Sequence, residues 1–504
     1  MFKKIFLIGA SLYASAYAND IELIVKYKDN QNKTGTVFSA NSVATMSTAQ
    51  NYQVLEDIDS RTKVVKVSDG QALRPTTTSL KTQSSSAAQK VSNSNAYAAA
   101  KNFMDSNPNV EYAIPKNSKM YAYDLNNTQT TNTTNFQNNI ISWGQQWDMQ
   151  SPKEVTGGID AYGAWDLVLD NPKRVDVAVI DSGLAYAAPE DISKKIDRDH
   201  SHYYFFMKNR ELRVSSNIYD NGSFHGTHVA GTVAANGPKV KGVAGPIDSI
   251  KILPIRALGD DGSGDTYAIL ESVKWAAGAQ VYAKNSSGQY LENNKAPVKV
   301  INLSLGMSRI DPYTGQPIVS QDEWRDNYMG TLCPAWKEAI QIAHERGVTV
   351  VIAAGNDGKN LFNDIPSGCR DINAIVVEST GPKGLLAPYS TYYAPDGILK
   401  WVVNSLVVRA PGGDSYNYGK TAQIYSTLNN YEYGYMQGTS MATPHVAGII
   451  ALLYANLQES QSSGQDVSVV RKALQDSKDI YSPNIVNAKN SLNNLKSTTQ
   501  TIAA

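Results

Sequence analysis

The spacing of hydrophobic and polar residues changes along the chain and predicts where its elements lie. Between about residues 141 and 456, short continuous apolar runs alternate with segments of helical spacing. The strand candidates are VDVAVID (175–181), IKILPIRAL (250–258), VKVINLSL (298–305), VTVVIAAG (348–355) and INAIVVES (372–379), and the helix candidates are AILESVKWAAGAQVYA, PAWKEAIQIAHERG and the run after Ser440. This alternation predicts an α/β fold, with a mostly parallel central sheet and helices on both faces.

The segments on either side of this unit have a different pattern. Residues 19–123 predict a small α+β unit, with strands in IELIVKY and VEYAIPKNSKMYA and a helix in NAYAAAKNFMD. Residues 124–140 have almost no apolar content, which is typical of a linker. Residues 457–504 are a polar extension rich in Ser, Gln and Asn, in which VSVVRKALQDS predicts one helix.

Residues 1–18 have the pattern of a signal peptide. Two lysines precede an apolar run that ends in Ala16-Tyr17-Ala18, a small-x-small cleavage pattern. The alternative is a buried N-terminal helix. No later apolar run approaches the ~20 residues that a membrane span needs, so we expect a secreted protein with no membrane partner.

Charge gives no indication of a nucleic-acid partner. Lys plus Arg and Asp plus Glu both number 46, so the formal net charge is zero. Proteins that bind nucleic acid or an acidic membrane through their overall field carry an excess of basic residues. We therefore expect neither partner. A hydrophobic content of 42% in 504 residues indicates a globular protein with more than one domain.

Cysteine occurs at two positions, Cys333 and Cys369. An even pair in an exported protein predicts a disulfide. Two buried thiols are the alternative, and a two-cysteine metal site is a weaker one.

The stretch GTSMATPHVAG (438–448) predicts a helix that begins close to Ser440. The residues after it are apolar with helical spacing, and proline is tolerated in a first turn, whose N–H groups have no acceptor within the helix. Pro444 is therefore expected in that first turn. Free N–H groups and the positive end of the helix dipole would favour negative charge beside Ser440, as acyl-transfer chemistry requires.

Two other short segments carry reactive side chains. In AVIDSGL, Asp181 ends a predicted strand, although Asp before Ser-Gly is also common in turns. In HGTHVAG, His225 begins a predicted helix and His228 follows one turn later, a spacing that also permits a zinc site. Serine nucleophiles need a neutral imidazole as base and a carboxylate that orients it, and Asp181, His225 and Ser440 supply one of each.

The segments IDSGL, HGTHVAG and GTSMATPHVAG resemble the aspartate, histidine and serine signatures of the subtilisin-like serine proteases, the subtilase family. The resemblance covers residues 141–456. It implies a serine endopeptidase with Ser440 as nucleophile, His225 as proton shuttle and Asp181 as the orienting group. The segment VVIAAGNDG resembles the one that carries the oxyanion asparagine, which implies this role for Asn356; the alternative is an Asn-Asp-Gly turn.

The resemblance also implies how substrates bind. DGSGD and NLSLG resemble the two backbone edges that hold an extended peptide, so Gly262, Ser263 and Gly264 are expected on one side and Ser304, Leu305 and Gly306 on the other. Ala353, Ala354 and Gly355 are expected in the same cleft. Met307 departs from the glycine usual in the family. The expected partners are protein or peptide substrates.

By the same resemblance, residues 19–123 are a propeptide that inhibits the active site with its last strand. The alternative is a permanent accessory domain. A monomer is expected, with no cofactor for catalysis and structural calcium possible. A non-catalytic binding protein on the same fold and a zinc hydrolase that uses His225 and His228 are the competing interpretations.

Acidic residues near the predicted cleft suggest a preference for basic substrates. Asp260, Asp261 and Asp265 flank one edge, and Asp364 precedes Pro366 in a segment that resembles a wall of the primary pocket. A solvated acidic loop or a calcium site is the alternative.

Overall fold

The computed structural model describes residues 20–29, 52–67, 85–122, 144–311, 315–394, 405–429, 431–457, 463–482 and 484–503. The predicted signal peptide (1–18) and linker (124–140) lie outside these residues. Among the described residues, no helix is both long and apolar enough to cross a membrane.

The described residues of the N-terminal unit form five strands and one helix: β1 (Ile21–Tyr27), β2 (Tyr52–Asp57), β3 (Thr62–Val67), α1 (Ser85–Ser106), β4 (Val110–Pro115) and β5 (Lys119–Ala122). Four of the strands form an antiparallel sheet in the order β2-β3-β1-β4. Alternate residues of β1 face opposite ways: Leu23 and Val25 pack with Phe103 of α1, whereas Ile24 belongs to a core shared with the second unit. This double burial explains the continuous apolar run in IELIVKY.

The second unit contains the remaining elements. Its strands are β6 (Val175–Asp181), β7 (Leu184–Ala185), β8 (Tyr203–Lys208), β9 (Glu211–Ser215), β10 (Tyr219–Asp220), β11 (Ile250–Arg256), β12 (Ser263–Asp265), β13 (Val300–Leu303), β14 (Leu305–Ser308), β15 (Thr349–Ala353), β16 (Asp364–Ile365), β17 (Ile375–Thr380), β18 (Leu406–Pro411), β19 (Ile424–Thr427) and β20 (Tyr433–Met436). Its α-helices are α2 (Ala161–Trp165), α3 (Glu190–Ser193), α4 (His225–Ala234), α5 (Thr266–Ala276), α6 (Gln321–Glu323), α7 (Gly330–Glu345), α8 (Ser415–Tyr418), α9 (Thr439–Asn456), α10 (Ser463–Gln475) and α11 (Ala488–Ala503). Short 3₁₀ turns lie at Trp147–Met149, Leu361–Asn363 and Lys420–Ala422, and a π-helical turn, Trp324–Met329, joins α6 to α7.

Eight strands form the central sheet, in the order β18-β17-β15-β13-β6-β11-β8-β9. Every pair is parallel except β8 with β9, so the predicted α/β class is confirmed. Ala178 and Ile180 of β6 face one core with α5 and α7, and Val177 and Val179 face another with α4 and α9. Burial on both faces accounts for strands that are apolar throughout.

The predicted strands fall on β6, β11, β13, β15 and β17, and the differences have physical causes. The run 298–305 is divided at Ser304: β13 stays in the central sheet, whereas β14 leaves it and pairs with β5 and β16. The sequence analysis missed the β8–β9 hairpin and β18. These strands lie at the two ends of the sheet order, where partial exposure weakens the apolar pattern.

The helix predicted in VSVVRKALQDS is confirmed as α10, but the prediction of a single helix after residue 457 is wrong, because α11 forms as well. Their apolar residues, among them Val470, Leu474, Leu492 and Leu495, are buried in the same core as α9. Ser and Asn residues lie between these apolar positions and obscure their helical spacing in the sequence. The polar extension is therefore packed onto the second unit.

The predicted disulfide between Cys333 and Cys369 is confirmed, with a Cα–Cα distance of 5.3 Å. It joins α7 to the loop that follows β16.

Candidate active site

Asp181 and His225 form the centre of the site. Asp181 ends β6 and His225 begins α4, and both side chains are fully buried. The Asp181 carboxylate lies 2.8 Å (Oδ1) and 3.0 Å (Oδ2) from Nδ1 of His225. The backbone N–H of Ser182 also donates to Oδ1, at 2.7 Å. The carboxylate is thus held in place and fixes the tautomer and plane of the imidazole.

A close approach of backbones brings α4 to the end of β6. A Cβ on Gly226 would lie 2.3 Å from the carbonyl oxygen of Gly183, so only glycine fits there. The N–H of Gly226 donates to Ser182 Oγ at 2.9 Å. Phe224, just before the histidine, has φ 54°, a strained value for a side chain of this size.

Ser440 lies in the first turn of α9, as predicted, and is fully buried. Its hydroxyl donates to the carbonyl oxygen of Ser304 at 2.9 Å. In return, the hydroxyl of Ser304 donates to the carbonyl oxygen of Ser440 at 2.9 Å, and Asn302 Nδ2 donates to the Ser304 hydroxyl at 3.0 Å. The two serines therefore exchange two hydrogen bonds across the junction of β13 and β14.

The first-turn prediction for Pro444 is wrong. The helix begins at Thr439, which makes Pro444 its sixth residue. A residue at this position would normally donate its N–H to the carbonyl of Ser440, four residues earlier. Proline has no N–H, and the hydroxyl of Ser304 supplies the missing donor instead. The sequence analysis missed this role of Ser304.

His228 does not share a zinc site with His225. Its Nε2 donates to the carbonyl oxygens of Ile424 at 3.1 Å and Gly434 at 3.2 Å, in the β19–β20 hairpin. Complete burial, with a smaller contribution from His225, lowers the pKa of His228 to about 3. A neutral imidazole thus ties α4 to the hairpin that leads into Ser440.

Asn356 lies beside the start of α9. Its Oδ1 accepts from both the N–H and the hydroxyl of Thr439, each at 2.9 Å. Because the carbonyl side of the amide is held by Thr439, the residue before Ser440, the amide group is oriented beside the serine. Ala353, Ala354 and Gly355 lead from β15 into Asn356, and the N–H of Gly355 donates to Thr439 Oγ1 at 3.2 Å. Their role in substrate binding stays a prediction.

The two predicted substrate edges flank a strand of the chain itself. Strand β5 of the N-terminal unit lies between β12 and β14, antiparallel to both. Ser263 and Gly264 oppose Tyr121 and Met120 on one side; on the other, Leu305 and Gly306 oppose Ala122 and Tyr121. The N–H of Ala122 donates to the carbonyl oxygen of Gly262 at 2.9 Å. Ser304 precedes β14 and faces Ser440 instead.

Further contacts hold the N-terminal unit on the second one. Tyr97 stacks on Tyr328 with ring centroids 3.9 Å apart, and its hydroxyl approaches Met307 Sδ at 3.9 Å. Lys26 forms an ion pair with Glu338 of α7, which also pairs with Lys274 at 2.9 Å. Burial opposes ionisation of Glu338, but the two ammonium groups outweigh it and hold its pKa below the usual value.

The acidic residues near the cleft have different partners. Asp260 pairs with Arg256 at 2.8 Å, and Asp261 accepts from the N–H of Ser263 at 2.9 Å. Asp265 pairs with Lys119 of β5 at 2.8 Å. Asp364 is fully buried and accepts from the hydroxyl of Thr391 at 3.0 Å.

One group with the spacing of metal ligands occurs among the described residues, at Asp176, Asp197 and His200. The guanidinium of Arg174 donates to Asp176 at 3.2 Å and to Asp197 at 2.7 Å. Because a cation of the protein already bonds to both carboxylates, the group does not fit an additional metal ion. Structural calcium stays a prediction.

The Asp181–His225 pair at the end of β6 and Ser440 at the start of α9 are the three kinds of side chain that a serine hydrolase uses. The profile of the subtilase family (peptidase S8) matches residues 172–496, and the chain belongs to this family.

Three relatives illustrate the similarity. An extracellular protease of Xanthomonas campestris pv. campestris is 36% identical over 240 residues, 46% of this chain and 33% of that protein. A thermophilic serine proteinase of Bacillus sp. (strain AK1) is 31% identical over 376 residues, 75% of this chain and 69% of that protein. The solved structure of a protease from Pseudoalteromonas arctica PAMC 21717 has 28% identity and a TM-score of 0.52, covering 70% of this chain and 97% of that one. The chain therefore matches about a third of the Xanthomonas protein's length.

Substitution of Ser304 by Ala should lower the free energy of unfolding by about 1 to 3 kcal/mol, because the buried carbonyl of Ser440 loses its donor. With Pro444→Ala, an N–H becomes available to that carbonyl, and the cost of Ser304→Ala should fall by about 1 kcal/mol. A double-mutant cycle by urea unfolding, in a Ser440→Ala background that keeps the carbonyl, measures the coupling. Additive effects would contradict the shared role.

The stability of the parent should decrease as the pH falls from about 6.5 toward about 3. The folded pKa of His228 lies below its unfolded value, so the unfolded state takes up a proton that the folded state does not. His228→Gln keeps an N–H donor but has no imidazole to take up this proton. The difference in free energy of unfolding between the parent and His228→Gln should therefore decrease as the pH falls from about 6.5 toward about 3. A gap that stays constant in urea titrations between pH 7 and pH 4 would contradict the assignment.

Proposed function

We propose that the chain is a secreted subtilisin-like serine endopeptidase, synthesised as a zymogen whose N-terminal unit inhibits the active site. The observation that carries the proposal is the position of β5, a strand held between β12 and β14, where β14 directly follows Ser304, the residue bonded to Ser440. The names of relatives such as the Xanthomonas extracellular protease support both the activity and secretion.

The reaction begins at the serine hydroxyl. Asp181 holds Nδ1 of His225, so Nε2 is the ring nitrogen that accepts the proton. The Ser440 hydroxyl gives up its hydrogen bond to the carbonyl oxygen of Ser304. It then passes its proton to His225 while its oxygen attacks the carbonyl carbon of the scissile bond. The imidazolium then protonates the leaving amine, and a water molecule hydrolyses the acyl-enzyme by the same proton path.

Charge on the tetrahedral intermediate is stabilised at the start of α9. The backbone N–H of Ser440 and the Nδ2 of Asn356 are the two donors for the oxyanion. Thr439 accounts for the orientation of the asparagine, because its N–H and hydroxyl take up Oδ1. The helix dipole adds favourable potential at the same point.

Substrates bind as β5 does, by adding a strand between β12 and β14. Main-chain hydrogen bonds on both sides accept many sequences and leave selectivity to the side chains. The N-terminal unit is the intramolecular inhibitor, and its contacts through Tyr97 and Lys26 hold β5 in the cleft. We expect the processed bond among the first residues after Ala122.

Ser440→Ala should abolish both self-processing and labelling by a serine-reactive fluorophosphonate. Intact-mass spectrometry of the secreted parent should show loss of the N-terminal unit and one label, and the variant should show neither. A folded parent that is free of the N-terminal unit and takes no label would overturn the proposal in favour of a non-catalytic binding protein.

Asn356→Ala should lower kcat by about 10² to 10³, a magnitude known for the equivalent donor of subtilisin, with a small effect on KM. Parent and variant are compared on one peptide substrate, at equal concentrations of active sites as counted by fluorophosphonate labelling. A large rise in KM with unchanged kcat would instead assign Asn356 to ground-state binding.

A further inference from the structure

Strand β5 shows which side chains the cleft accommodates at each position. Met120 is fully buried, so its position requires an apolar side chain of limited size. Tyr121 is half exposed, so its position does not restrict the side chain in this way. Ser118, just before the strand, shares a hydrogen bond of 2.7 Å with the hydroxyl of Thr266. Lys119, which lies between Ser118 and Met120, opposes Asp265 in the strand register.

The Lys119–Asp265 contact is a direct ion pair. Lys119 Nζ lies 2.8 Å from Oδ1 of Asp265. The other oxygen, Oδ2, accepts from the backbone N–H of Met207 in the β8–β9 hairpin at 3.1 Å. The hairpin therefore fixes the carboxylate, whose side chain is 17% exposed, with one oxygen directed at the bound strand.

Two neighbouring carboxylates have partners within the second unit. Asp260 bonds to Arg256 and to the N–H of Asn221. Asp261 bonds to the N–H and hydroxyl of Ser263. Of the three acidic residues near this edge, Asp265 is thus the one whose described ion-pair partner lies on the strand in the cleft.

We propose that Asp265 selects Lys or Arg three residues before the residue whose N–H bonds to Gly262, the position that Lys119 occupies relative to Ala122. The substrate class is an extended peptide with a basic residue at this position and an apolar residue directly after it, as Met120 follows Lys119. This inference rests on the proposed protease function and concerns the same cleft. Asp265 acts as a specificity-determining residue through charge and register.

The test compares fluorogenic peptides that span residues 117–126, with Lys119 retained or replaced by Gln or Glu. The enzyme is the secreted full-chain product and its Asp265→Asn and Asp265→Lys variants, each quantified by fluorophosphonate labelling. Asparagine keeps an oxygen that can accept from the N–H of Met207, so the contact between residue 265 and the β8–β9 hairpin is preserved. Asp260→Asn is the matched control, because it removes a charge from the same region without touching β5.

In the parent, kcat/KM should be about fivefold higher for the Lys peptide than for the Gln peptide at low salt. The ratio should fall to about one in Asp265→Asn, persist in Asp260→Asn, and turn in favour of the Glu peptide in Asp265→Lys. Product masses identify the bond for which the rates are compared.

Two failures are distinguishable. Equal rates for the Lys and Gln peptides in a labelled, active parent, or a preference that survives in Asp265→Asn, would overturn the assignment of Asp265 and leave the protease function intact. A parent that cuts no peptide and takes no label would overturn the proposed function, and the inference with it.

Discussion

Two hydrogen bonds exchanged between Ser304 and Ser440 join the junction of β13 and β14 to the start of α9. Each hydroxyl donates to the carbonyl oxygen of the other residue. The exchange is possible because the chain leaves the central sheet at Ser304, between β13 and β14. It is also needed, because Pro444 deprives the Ser440 carbonyl of its helical donor. The Ser440 carbonyl of α9 thus receives its donor from a side chain at the junction of β13 and β14.

The other reactive groups are placed by similar connections between elements. His228 ties α4 to the β19–β20 hairpin, which leads into α9, so the helix that carries His225 is bonded to the segment that precedes Ser440. Thr439 connects the same helix to Asn356 at the end of β15. Each connection uses a polar group that is buried and therefore must be bonded. Positioning and stability depend on the same contacts.

Much of this arrangement could be predicted from the sequence. Periodicity located five strands of the central sheet, and the motifs around Asp181, His225 and Ser440 indicated residues that the fold brings to one edge. The hydroxyl of Ser304 could not be predicted, since its partner lies 136 residues away and depends on where α9 begins. Helix α10 was predicted, whereas α11 was missed because polar residues interrupt its apolar stripe. The edge strands were missed because partial exposure weakens their pattern.

Strand β5 is bonded on both sides, and under the proposed function this limits which proteins can bind in its place. A segment that replaces β5 must offer main-chain N–H and C=O groups to both β12 and β14. In a helix these groups are already hydrogen-bonded to one another, and inside a sheet they are hydrogen-bonded to neighbouring strands. In the proposed protease, the cleft would therefore distinguish ordered from unfolded chain before it distinguishes one side chain from another. Under that proposal, linkers, termini and damaged proteins would be substrates, whereas compact domains would be protected by their own secondary structure.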